Sequence, residues 1–189
     1  MSAAPQQQTI TLEAFWQLVA ASPDKRLEYR NGVVIEGMSG GSRNHALIAA
    51  NCITLLKNAL RGTCRVFSSD ALVRVRADQV YLPDVSVTCA EQSKEERNVV
   101  TEPALVVEVL SPSTGNFDRI TKVADYRECP SIHTILLIWK DQRRVEVHER
   151  ESERVWSTRT LKADERYDLR HLPVTVDLSA LYEDAEDLA

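Results

Sequence analysis

Four apolar residues at helical spacing, Leu12, Phe15, Trp16 and Val19, open the readable part of the chain, with Thr11 placed to cap the helix they predict. The period then shortens. Residues 26–30 and 33–38 flank Asn31-Gly32, a dipeptide that tolerates positive φ at both positions, and this predicts a hairpin. Ser39-Gly40-Gly41-Ser42 interrupts the pattern. Leu47, Ile48, Cys52, Leu55, Leu56 and Ala59 restore the helical period over 43–60, and Gly62 ends it. Short apolar runs predict strands at 64–68, 71–76, 84–89 and 104–110, with a charged loop or helical turn at 91–98. A helix over 118–127 stops at Cys129-Pro130. Strands follow at 132–139, 145–150 and 154–161, then a short helix over 178–188.

This order predicts an α/β (α+β) fold in which helices flank a central mixed β-sheet. The core is placed at residues 43–139, and the hairpin and the late strands are expected to extend its sheet. One domain spanning 1–189 is expected, with residues 1–9 disordered.

The candidate chemistry begins with Glu108, inside the strand Ala-Leu-Val-Val-Glu-Val-Leu over 104–110. An unpaired ionised carboxylate in an apolar strand costs several kcal/mol or takes up a proton, and a cation removes that cost. Asp84 follows Pro83 at the start of another strand. Lys122 lies just beyond Ser111-Pro-Ser-Thr114. Two carboxylates on neighbouring strands with a lysine beside them suit a divalent metal and a phosphodiester. Each residue also has a plainer reading. Asp84 alone is a turn aspartate, and Lys122 alone is a helix-surface partner of Asp118.

The ordered set Glu28-Tyr-Arg-Asn-Gly32, Met38-Ser-Gly-Gly-Ser-Arg-Asn-His45, Pro83-Asp-Val-Ser-Val-Thr-Cys89, Glu108-Val-Leu-Ser-Pro-Ser-Thr114 and Asp118-Arg-Ile-Thr-Lys122 with Tyr126 resembles the PD-(D/E)xK nuclease superfamily. More narrowly it resembles the Uma-type bacterial family of endonuclease-like proteins. The resemblance implies a restriction-endonuclease-like core and a Mg²⁺-dependent endodeoxyribonuclease, with Mn²⁺ as a substitute. Asp84 and Glu108 would hold the metal, and Asp84, Glu108 and Lys122 would form the catalytic set. Glu28, His45 and Tyr126 are additional candidates. The superfamily pattern puts the lysine two residues after the acid, where this chain has Leu110. The Uma-type family moves it to the next helix. DNA is the favoured substrate, and a homodimer formed through the late strands is expected. The alternative is a nuclease fold with weak or lost activity, serving as a nucleic-acid-binding or protein-interaction module.

Composition alters little. Hydrophobic residues make up 43% of the 189 and charged residues 27%, and the net charge is −5. That charge argues against extended nonspecific nucleic-acid binding and leaves room for a local groove. No apolar run approaches a membrane span, and the N-terminus lacks signal-peptide features, so a cytoplasmic protein without a membrane partner is expected. Cys52, Cys64, Cys89 and Cys129 form no Cys-x-x-Cys pair, and buried reduced thiols are the reading adopted for them.

Overall fold

The computed structural model describes residues 9–37, 42–92, 99–110, 117–186 and 188, and no side chain of residues 117–119. Residues 1–8 of the stretch 1–9 expected to be disordered, most of the Ser39–Ser42 break, most of the charged turn at 91–98 and the Ser111–Thr114 motif lie outside the described residues.

Helix α1 (Leu12–Ala21) starts where Thr11 accepts a hydrogen bond from the Ala14 amide at 3.2 Å. Strands β1 (Leu27–Arg30) and β2 (Val33–Glu36) form the expected hairpin. Its turn has φ of +51° at Asn31 and +86° at Gly32, the left-handed values that this dipeptide accepts at little cost. Helix α2 (Arg43–Ala59) is capped by Ser42, which accepts from the His45 amide at 3.3 Å. Next come β3 (Arg65–Ser68), β4 (Leu72–Arg76), β5 (Gln79–Tyr81), β6 (Val85–Thr88), β7 (Val99–Val100) and β8 (Leu105–Leu110). A π-helical turn (Phe117–Lys122) leads into α3 (Val123–Glu128). The chain then forms β9 (Thr134–Trp139), β10 (Arg144–Arg150), β11 (Trp156–Lys162), β12 (Arg166–Asp168), β13 (Thr175–Asp177) and α4 (Leu178–Leu181).

The main sheet has six strands in the order β11-β10-β9-β8-β6-β3. Only β8 and β9 run parallel in it, and the late strands do extend it. The hairpin does not. It belongs to a second sheet, β2-β1-β5-β4-β7. The cause is β5, a three-residue strand whose Val80 pairs with Tyr29 and so carries the hairpin away from the main sheet. Two further expectations need correction. The helix placed at 118–127 begins as a π turn, and the terminal helix is a single turn, Leu178–Leu181.

The layers follow from alternation along the strands. Val85, Val87, Leu105, Val107 and Val109 face α2, where they meet Ile48, Cys52 and Leu56. Val106 and Leu110, one residue out of step, face α3 and the second sheet, where they meet Val123, Tyr126, Val73 and Tyr81. On the far side of the second sheet, Leu27, Tyr29 and Val80 pack on Phe15 of α1.

The cysteine expectation fails in half. Cys64 and Cys89 form a disulfide. Arg65 pairs with Thr88, so the next step outward sets the two thiols opposite each other on neighbouring strands. Cys52 and Cys129 are free and buried, as expected, and burial first of all pushes the Cys52 thiol up to about 12.

Candidate active site

β8 is buried along its whole length. Glu108, between two valines that face α2, therefore points into the layer between the main sheet and the second sheet. It is 4% exposed. Its Oε1 accepts from the Tyr126 hydroxyl at 2.5 Å and lies 3.3 Å from the Lys122 ammonium. Tyr126 is in α3 and fully buried. The π turn ends at Lys122 and delivers its amine into the same space, so the relocated lysine does reach the acid across the fold. The plainer partner suggested for it, the Asp118 side chain, lies outside the described residues.

Glu28 completes the group from the second sheet. Leu27 and Tyr29 face α1, so Glu28 and Arg30 face the other way, toward α3. Glu28 Oε1 accepts from the Leu82 amide and from Lys122 Nζ, both at 2.9 Å. Glu28 is 6% exposed, so its place in the hairpin is a buried one. Lys122 Nζ also lies 5.5 Å from the centre of the Tyr81 ring, within cation–π range.

Asp84 sits at the end of the β6–β8 ladder. Val85 pairs with Val107, and one further step puts Asp84 across from Glu108. There its Oδ2 accepts from the Val109 amide at 2.6 Å, so the side chain continues the ladder where the backbone pairing stops. Its Oδ1 lies 3.2 Å from His45 Nε2. The Ser42 cap fixes the first turn of α2 and with it His45. The hydrogen bond to Asp84 raises the His45 pKa above its ordinary value, against the opposing effect of burial. All six candidates thus gather at one end of β6 and β8. Glu28, Glu108, Lys122 and Tyr126 form one buried network, and Asp84 with His45 stands beside it, linked through the backbone of Val109.

A neighbouring network escaped the sequence reading. Asp125 accepts from Arg30 Nε at 2.7 Å and from the Tyr81 hydroxyl at 2.5 Å. Burial raises the Asp125 pKa, but the bonds from Arg30 and Tyr81 outweigh it and hold the carboxyl below its ordinary value. Tyr81 is pushed strongly upward, by burial first and then by Asp125. The signal was present in β1, where Glu28 and Arg30 alternate with Leu27 and Tyr29. Two charges on one face of a short strand call for two partners, and Lys122 and Asp125, three apart on the following helical segment, supply them.

The donor set can be tested against a metal. Asp84 and Glu108 offer hard carboxylate oxygens from adjacent strands, which suits Mg²⁺ or Mn²⁺. Among the described residues, no three His, Cys, Asp or Glu side chains gather into a metal-enclosing group. An ion held by two carboxylates keeps several waters, as Mg²⁺ prefers to do. The fit is therefore to a partly hydrated ion at the rim of the network.

The family model that matches residues 12–180 is Uma2, described as "Putative restriction endonuclease". Two similar proteins come from Synechocystis sp. (strain ATCC 27184 / PCC 6803 / Kazusa). The uncharacterized protein slr1290 is 32% identical over 157 residues, which span 82% of each chain. The uncharacterized protein sll1609 is 31% identical over 136 residues, 70% of this chain and 76% of the other. A crystal structure titled as a "putative nuclease belonging to DUF820", from Anabaena variabilis ATCC 29413, superimposes with a TM-score of 0.69 at 21% identity. It covers 92% of this chain and 97% of that one, which establishes a shared fold. Matched by the family model over most of its length and by a relative at 32% identity, the chain belongs to the Uma2 family of restriction-endonuclease-like proteins.

Proposed function

We propose that the protein is a metal-dependent endonuclease that hydrolyses phosphodiester bonds, with DNA as its substrate. The observation that carries the reading is the convergence of Glu28, Glu108, Lys122 and Tyr126 from three segments into one buried network beside Asp84. Burying this much charge is expensive, and a fold selected for stability alone would do better with apolar side chains there. Buried, paired charge at the end of two strands is a common mark of a working site.

Asp84 and Glu108 would hold Mg²⁺ or Mn²⁺. Bound there, a divalent ion supplies Lewis-acid polarisation of the phosphate. The rest is the work of the chain. The Val109 amide and His45 fix the angle of the Asp84 carboxylate. The Tyr126 hydroxyl fixes Glu108. Lys122, held between two carboxylates, presents a positive charge where the phosphate gains negative charge on attack by water, before the 3′-oxygen leaves. Its ion pairs suit that electrostatic role better than the role of a base.

We also propose that the active form is a two-fold dimer. β11 is the outer strand of the main sheet and exposes Thr158, Arg159 and Thr160; light scattering that finds only monomer at tens of micromolar would remove it. The decisive test of function is cleavage of plasmid DNA and of RNA with Mg²⁺ or Mn²⁺, comparing wild type with Asp84→Asn. Metal-dependent DNA cleavage that the variant lacks supports the reading. If neither nucleic acid is cut, or if Asp84→Asn cuts equally well, the protein is a nuclease fold serving as a binding module.

A further inference from the structure

We propose that Lys122 is the resident counter-cation of the site, sharing Glu108 with the divalent ion and falling back on Glu28 when the ion binds. This rests on the reading of Asp84 and Glu108 as the metal ligands. Lys122 Nζ lies 2.9 Å from Glu28 and 3.3 Å from Glu108, and the three side chains are 7%, 8% and 5% exposed. A lysine this deep needs a carboxylate in every state of the site.

The two carboxylates are not equivalent. Glu108 stands across from Asp84 and would serve the metal in the proposed chemistry, and an ion on that carboxylate would repel the ammonium that lies 3.3 Å from its Oε1. Glu28 comes from the other sheet, is anchored independently by the Leu82 amide, and already makes the shorter contact. Lys122 can give up Glu108 and remain paired without leaving its place over the Tyr81 ring. Glu28 is thus a positioning residue for the lysine and not a third metal ligand. Lys122 offsets part of the negative charge of the site without metal and lowers its metal affinity.

The experiment is calorimetric titration of Mn²⁺ into the full chain without nucleic acid, together with melting temperatures with and without Mn²⁺. Lys122→Met removes the competing charge at similar length. It should melt lower than wild type without metal, bind Mn²⁺ on the order of 10-fold more tightly, and gain more melting temperature from it. A variant that folds only with Mn²⁺ present gives the same answer. Wild-type or weaker affinity overturns the proposal. Adding Glu28→Gln to Lys122→Met should change affinity by less than about threefold, because Glu28 acts through the lysine. A further tenfold loss would make Glu28 a ligand and overturn its assigned role. Should Lys122→Met fold in neither condition, Glu28→Gln alone decides. It leaves Lys122 with Glu108 as its carboxylate, so Mn²⁺ affinity should fall about tenfold, and unchanged affinity overturns the proposal. Absence of Mn²⁺ binding in wild type sinks the metal reading itself, an outcome separate from a wild type that binds and a variant that binds no better.

Discussion

The two faces of β8 are one residue apart and obey opposite rules. Toward α2, Leu105, Val107 and Val109 meet only apolar neighbours in their core cluster, and burial there favours folding at roughly 25 cal/mol per Å². Toward α3, Val106 and Leu110 flank Glu108, and the layer admits Glu28, Lys122, Asp125 and Arg30. Both faces bury apolar side chains, and the first does so without charge. The second gives up some stability, because desolvated charges repay little even when well paired. The same strand can do both because side chains alternate, so a charge on one face leaves the other intact.

The sharpest way to break this comparison is to move the charge by one residue. Val107→Glu puts a carboxylate among valines and leucines with no lysine to meet it, and should cost more than about 4 kcal/mol, enough to unfold a marginal domain. Circular dichroism with urea would show it, and a folded variant would mean that the α2 face tolerates charge as the other face does. Next in size, Asp84→Asn should lower metal-dependent DNA cleavage by on the order of 10³-fold while the melting temperature stays within a few degrees. Lys122→Ala should lower the rate by about 10²-fold, and Lys122→Arg should recover part of it if charge is what counts. Smaller again, Asp125→Asn should cost about 1–2 kcal/mol in chemical denaturation at pH 7, since it removes the charge that pairs with half-exposed Arg30.

That last cost has a pH signature. The folded Asp125 carboxyl titrates below its ordinary value of 3.8. Its contribution is therefore full above that value and is lost as the pH falls toward the folded pKa. The stability gap between wild type and Asp125→Asn should be constant from neutral pH to about 5 and close below 3.8. A gap that shows no narrowing as the pH falls below 3.8 would assign the loss to packing and not to charge.

What the sequence revealed and what it hid divide along the range of the interactions. The Asn31-Gly32 turn, the Thr11 cap and the buried run around Glu108 are local, and residue pattern alone identified them. The path by which Lys122 reaches Glu108 came from the family resemblance, and the structure places the amine there. The second sheet could not be read, because β5 has three residues and its effect depends on a partner some fifty residues earlier. The disulfide was missed for a similar reason: a spacing of 25 says nothing until β3 and β6 are in register. The Arg30–Asp125–Tyr81 network was half visible, as two charges on one face of β1, but its partners depend on how two sheets stack.

β1 has a consequence for anyone who would cut this protein down or transplant it. The strand lies outside the span 43–139 that carries Asp84, Glu108 and Lys122, yet it sends Glu28 into their midst while Leu27 and Tyr29 tie it to α1. A minimal fragment chosen by listing the catalytic positions would discard the segment that supplies the shorter of the two carboxylate contacts to the lysine. In modular terms, the smallest portable unit begins at α1. A graft that starts at α2 would carry Asp84, Glu108 and Lys122, and would leave behind Glu28 and the α1 packing that holds its strand.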